Sequence, residues 1–349
     1  MNLSNKLRIN ESFIGPDNPC FVIAEIGMNH NGDLDLAKAM IKSAAECGTN
    51  AVKFQIFKAE KFVTENALVY GEDSHSEPLS QVEMLKKYEF SSDEWKLLKD
   101  TAVKKGIIFF ASVFDDESLD IAGSLDIELL KIASCDLTNI PLIRQVAGLG
   151  RPVLLSTGMS TLSEIDIAVS TFLEKGNDKL ILMHCVSSYP AKIEESNIRV
   201  IPALRNMFEI PVGFSDHCKE NYASFNAVSH GAVVIEKHFT TDSKLPGIDQ
   251  KMSLNPAGLN ELVNGIRSIE KSTGRSVKRI LESERPARIN GRRSLVASKD
   301  LEAGEVISPE MVAVKRPGTG ISPIHFDLVL GRKLNKPVKK NEFLSWSIL

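Results

Sequence analysis

The stretch PVLLSTGMSTLSEIDIAVSTFLEKGNDKLILMHC, residues 152–185, decides the fold. It opens with a short apolar run of strand type, PVLLST (152–157), and closes with another, LILMHC (180–185). Between them TLSEIDIAVSTFLEKG spaces its apolar residues near the helical period and ends in glycine, as helices often do. Strand, helix and strand follow one another with little between them.

The alternation continues in both directions. Further strands are expected at FVIAEIG (21–27), AVKFQ (51–55), IIFFAS (107–112), LLKIAS (129–134), PVGFS (211–215) and VVIEKHF (233–239), which with the two above makes eight. Eight strands each followed by a helical pattern predict a (β/α)8 barrel, an α/β fold, over residues 1–272. The long segment 56–90 interrupts the rhythm, and long loops over a barrel mouth are usually functional. Residues 273–290, charged and carrying Gly and Pro, predict a linker. Residues 291–349 alternate short apolar stretches with Gly and Pro turns and predict a compact β-rich domain. So small a domain has a limited core and is expected to dock on the barrel or on a partner subunit.

Composition narrows the class. The chain has 349 residues, 43% hydrophobic and 25% charged, enough for a large core. The N-terminus has no signal-like apolar run, and no stretch approaches the ~20 apolar residues of a membrane helix, so a cytoplasmic protein without a membrane is expected. Five cysteines without metal-type pairing suit a reducing compartment. A net charge of −3 gives no reason to expect nucleic acid. Residues 291–349 carry ten Lys and Arg against six Asp and Glu, so a basic C-terminal piece accompanies a more acidic body.

Barrel enzymes work at the C-terminal ends of their strands, and those ends are polar here. Glu25 lies on the first strand, Lys53 and Gln55 on the second, Ser112 on the third, Lys131 and Ser134 on the fourth, and Ser156 and Thr157 on the fifth. His184, Ser187 and Tyr189 follow on the sixth, Ser215 and His217 on the seventh, Glu236 and His238 on the eighth. Lysines inside apolar runs need an anion or a carboxylate. A phosphate held by Lys53, Lys131 and the serines would supply one; buried salt bridges, such as Lys53 with Glu25, are the plainer alternative. His217 and His238, at equivalent places on consecutive strands, could share one metal ion, with Asp216 and Glu236 as acidic neighbours to orient them. A metal beside an anion cradle suits a Lewis acid acting on a carbonyl while a phosphorylated partner is held, with Glu25 as the acid/base. A Schiff-base aldolase using Lys53 or Lys131 would draw on nearly the same positions. A carbohydrate- or ice-binding protein on an inert barrel would leave these charged residues unexplained.

The motifs AEIGMNHNGD (24–33), AVKFQIFKAEKFV (51–63), KIAS (131–134), STGMS (156–160), HCVSSYPA (184–191), GFSDH (213–217), IEKHF (235–239), LPGIDQKMSLNP (245–256) and KRPGTGI (315–321) resemble those of the sialic acid synthases, the N-acetylneuraminate and related nonulosonate synthases. That resemblance covers nearly the whole chain. It implies a barrel followed by an antifreeze-like (SAF) domain in a domain-swapped homodimer, and condensation of phosphoenolpyruvate with an open-chain N-acylmannosamine-type sugar, releasing phosphate. His217 and His238 match manganese or magnesium ligands, and Glu25 the acidic residue near metal-bound water. Lys53, Ser112, Lys131, Ser134, Ser156 and Ser215 match the phosphoenolpyruvate set, with Ser112 where a threonine is usual. Gln55, Tyr189 and Asp249 match sugar-binding positions, and Arg316 an arginine that reaches in from the other subunit. Where several members read SGE this chain reads SCD, placing Asp136 for a glutamate; Ser187 stands where some N-acetylneuraminate synthases have asparagine. Both bear on the acceptor, so a legionaminate-type or other modified mannosamine is also open.

Overall fold

The structure is a computed structural model that describes residues 4–65, 67 and 80–349. These form two compact units, Met1–Gly274 and Arg275–Leu349.

The first unit is a closed barrel of eight parallel strands. They are β1 (Phe21–Gly27), β2 (Ala51–Ile56), β3 (Ile108–Val113), β4 (Leu130–Ile132), β5 (Val153–Ser156), β6 (Leu180–Cys185), β7 (Val212–Asp216) and β8 (Val234–His238), with β8 pairing back to β1. All eight expected strands are present. They are nearly continuous apolar runs because helices cover them outside and side chains fill them inside. β4 is shorter than expected, since Ser134–Asp136 turns into a 3-10 helix directly after it.

Helices follow the strands, and their starts are written locally. Thr161 and Glu164 form a reciprocal capping box at the head of Leu162–Glu174, and Ser91 and Glu94 do the same for Ser92–Lys104. Within the segment 56–90, short helices occupy Ala59–Phe62 and Gln81–Lys86; residues 66 and 68–79 of that segment lie outside the described residues.

An antiparallel hairpin, Leu7–Ile9 with Ser12–Ile14, precedes the barrel. Its Leu7, Ile9 and Ile14 are buried in the barrel core, and Asn10 N–H donates to Glu128 just ahead of β4. The hairpin therefore closes the N-terminal end, opposite the polar strand ends. The second unit has its own core, including Leu295, Ile307, Val329 and Leu344, around the antiparallel pair β9 (Ser294–Ala297) and β10 (Val312–Lys315). Arg285–Gly291, which runs from the segment read as a linker into the first residue of the expected small domain, forms a short helix of this unit. Among the described residues no helix is long and apolar enough to cross a membrane.

Candidate functional site

Contacts between non-adjacent strands identify the residues that point into the barrel. Lys131 on β4 donates to both oxygens of Glu236 on β8, at 2.9 Å each, a contact that crosses the lumen. Ser215 Oγ donates to Glu236 Oε1 at 2.9 Å. Lys53 Nζ lies 2.9 Å from Glu25 Oε2, 3.8 Å from Glu236 Oε1 and 3.1 Å from Ser112 Oγ. Gln55 Nε2 donates to Glu25 Oε1 at 3.0 Å. Two ammoniums and two carboxylates thus share one buried network.

Burial alone would discharge all four groups, and mutual pairing opposes it. Burial pushes Glu236 up, but Lys131 and Lys53 outweigh this and hold it at about 2. Burial works against the Lys53 ammonium too, yet Glu236 and Glu25 keep its pKa above the ordinary lysine value. For Lys131, burial, helped by Lys53, wins over Glu236 and pulls it below that value. Burial raises Glu25 despite Lys53 beside it. The pairing of Lys53 with Glu25 is the plainer alternative left open by the sequence. Glu236, read there only as an orienter for a histidine, is instead the centre of the network.

Ser134, Ser156 and Ser215 are all at their strand ends. Ser134 Oγ accepts from Gly158 N–H at 3.0 Å and lies 3.1 Å from Cys185 Sγ. Ser156 is buried. Ser187 Oγ is buried without a hydrogen-bond partner among the described residues. At Gly158 the hydroxyls crowd the backbone, and an added Cβ would sit 2.3 Å from Ser187 Oγ and 2.8 Å from Ser134 Oγ. Gly27, at φ 52°, is similarly enclosed: an added Cβ would sit 3.1 Å from Glu25 Oε1 and 3.3 Å from Gln55 Nε2.

His217 and His238 face each other with ring centroids 5.5 Å apart. His217 Nδ1 is 2.6 Å from Val186 O, so the ring donates there and its Nε2 lone pair stays free. Among the described residues His238 Nδ1 has no hydrogen-bond partner; Asp249 Oδ2 is 3.6 Å away. Burial lowers the pKa of both, that of His238 to about 4, so both rings are neutral near pH 7 and able to ligate. Asp216 does not orient His217: it lies between the inward-facing Ser215 and His217, and strand alternation turns it outward to Lys237. Nor does Glu236 orient His238, since Lys131 and Ser215 hold it. Among the described residues no group of three or more His, Cys, Asp and Glu is arranged to hold a metal. The donors present fit an ion with two protein ligands and an otherwise open shell.

Tyr189 packs on His217 at 4.3 Å between centroids with the rings tilted by 38°, and Asp249 lies beside His238. Asp136 is held by Asn139 at 2.9 Å, and burial raises its pKa. Gln55, Asp136, Ser187, Tyr189 and Asp249 all belong to the C-terminal ends and following loops of the barrel. His184, by contrast, turns to Ser196 O at 2.8 Å. Arg316 belongs to the second unit, exposed just after β10.

Comparison with known proteins matches residues 40–278 to the NeuB family and residues 292–349 to the SAF domain. The chain is 39% identical to the N,N'-diacetyllegionaminic acid synthase of Legionella pneumophila, over 95% of each chain. It is 34% identical to the human N-acetylneuraminate-9-phosphate synthase, over 95% of this chain and 92% of that one. Among solved structures, the N-acetylneuraminic acid synthetase of Leptospira borgpetersenii in complex with citrate aligns with a TM-score of 0.73 and 40% identity, covering 82% of this chain and 95% of that one.

Proposed function

The chain belongs to the NeuB family, and from the site its barrel builds we propose that it condenses phosphoenolpyruvate with an open-chain N-acylmannosamine-type sugar, giving a nine-carbon sialic acid of the N-acetylneuraminate type and phosphate. The observation that carries the reading is the Lys53–Glu25–Glu236–Lys131 network set beside two neutral, facing imidazoles.

In this reading C3 of phosphoenolpyruvate attacks the sugar aldehyde, water adds at C2, and phosphate leaves by C–O cleavage. Lys53 and Lys131 offset the anionic charge throughout, while Ser112, Ser134, Ser156 and Ser215, with the Gly158 N–H, bind carboxylate and phosphate oxygens. Glu25, kept high by burial and within reach of Gln55, handles the proton of the added water. His217 and His238 would hold a divalent ion, manganese or magnesium, which supplies Lewis-acid polarisation of the aldehyde. Gln55, Asp136, Ser187, Tyr189 and Asp249 orient the sugar. Arg316 is delivered by the SAF domain of the second subunit in a swapped homodimer, giving the basic C-terminal piece its task. The resemblance to legionaminic acid synthases supports a modified mannosamine as the other acceptor.

One observation favours a different chemistry. Burial lowers the pKa of Lys131, the direction a Schiff-base lysine needs. The deciding experiment measures phosphate release from phosphoenolpyruvate and manganese over a panel of mannosamine derivatives, with and without EDTA. Turnover abolished by EDTA is expected. Condensation of pyruvate itself with these sugars that survives EDTA and releases no phosphate, with borohydride and pyruvate labelling Lys53 or Lys131, would establish the aldolase instead.

A further inference from the structure

A buried ion pair that this chemistry does not use lies on the outer face of the last two barrel strands. Lys237 and Asp216 are register partners on β8 and β7, each 1% exposed, with Nζ 2.8 Å from Oδ2. The same ammonium donates to Cys218 O at 2.6 Å and Glu220 O at 2.8 Å. Asp216 in turn accepts from Cys218 N–H at 2.8 Å and from Ser224 Oγ at 2.6 Å, at the head of the helix Tyr222–Ser229. Behind it Ser196 Oγ meets Cys218 Sγ at 3.3 Å, and Ser196 O takes His184 Nε2 at 2.8 Å.

Strand alternation puts this layer directly behind the imidazoles: Asp216 precedes His217, and Lys237 precedes His238. Desolvating two charges is costly, and apolar residues of similar size would pack there without that cost, so stability alone is a weak reason for the pair. What its bonds fix is chain path. Three of them end on the backbone of Cys218 and Glu220, holding the loop that carries His217 to the strand that carries His238. The loop is also anchored by the His217 bond to Val186 O, by Ala191 N–H donating to His217 O at 3.0 Å and by Asn221 Nδ2 donating to Gly258 O at 3.1 Å.

We infer that Lys237 is a positioning residue for the His217–His238 pair: through Asp216 and the backbone of Cys218 and Glu220 it sets how the two imidazoles face one another, and with that the affinity for a divalent ion. This rests on the reading in which those two rings are the metal ligands.

The test is a manganese titration followed by electron paramagnetic resonance on the wild-type protein, Lys237→Met and the double variant Asp216→Asn/Lys237→Met, with thermal unfolding alongside. The double variant removes both charges, so neither is stranded if the single variant fails to fold. The manganese dissociation constant is expected to rise at least about tenfold in a folded variant. Turnover at saturating manganese should recover to within about twofold of wild type, which a general loosening of the barrel would not allow. A folded variant that binds manganese as tightly as wild type overturns the inference. Wild-type protein that binds no manganese would instead remove the metal reading itself, and the inference with it.

Discussion

Lys131 Nζ lies 2.9 Å from both carboxylate oxygens of Glu236, joining the fourth barrel strand to the eighth across the lumen. The site is therefore charge-balanced by its own side chains, and an anion that enters it must share lysines already in use. Glu236→Ala leaves Lys131 without its carboxylate, which should cost about 3–5 kcal/mol of stability. Inorganic phosphate should restore part of that loss, and stabilise the variant more than the wild type. Thermal unfolding with and without phosphate checks this; equal phosphate effects on both proteins would show that the freed lysines do not take an anion.

His217→Ala and His238→Ala should each weaken metal binding and turnover by at least about tenfold. Metal content after dialysis against a fixed manganese concentration measures it. Unchanged content in both variants would remove them as ligands.

Gly158→Ala tests the hydroxyl cluster. The new methyl would meet Ser187 Oγ and Ser134 Oγ well inside contact distance. The KM for phosphoenolpyruvate should rise at least about tenfold, an estimate from the loss of two charge-assisted contacts. A KM within twofold of wild type would mean phosphoenolpyruvate does not approach this backbone.

His30 carries a pH dependence that is separate from catalysis. Its ring is buried against Phe90, centroids 4.5 Å apart, and accepts from Gly32 N–H, so burial lowers its pKa to about 4. Unfolded, it titrates near 6.5, so between those values the unfolded chain binds the proton and the folded one does not. Stability is full above about pH 6.5 and falls as pH drops toward 4, by roughly 3.5 kcal/mol for a difference of about 2.5 units at about 1.4 kcal/mol per unit. Chemical denaturation of His30→Leu across that window should show a slope shallower by one proton. An unchanged slope would locate the titration elsewhere.

Arg316→Ala should mainly impair use of the acceptor sugar. Mixed with a His238→Ala subunit, it should regain activity if each site draws its arginine from the other chain. Kinetics of the mixture decide, and no gain would mean that the small domain serves its own barrel or none.

The barrel was legible because its strands are apolar on both faces, and the expected ends of β1 and β8 lie within a residue of those observed. The N-terminal hairpin was not: its three-residue strands are too short to show alternation, and packing of Leu7, Ile9 and Ile14 holds them. Glu236 was read as a helper for a histidine because its true partner, Lys131, is 105 residues away, and spacing carries no record of a contact across a lumen. The outward turn of Asp216 was available from alternation alone, since its neighbours on both sides face inward. That His217 is oriented by the carbonyl of Val186 was not, because any residue there would present the same atom.

Gly27 has a consequence for how such a site can change over time. A side chain there would press on both Glu25 and Gln55 at a φ that side chains rarely adopt, so the bare backbone is what leaves the carboxylate and its amide partner at hydrogen-bond distance. Asp136, on a single 3-10 turn with its carboxylate held by Asn139, and Ser187, on a loop with its hydroxyl unpaired among the described residues, sit on backbone that needs no positive φ. In the proposed reaction a change of acceptor is thereby channelled to the loops after β4 and β6, while the network of Glu25, Lys53, Lys131 and Glu236 can stay as it is.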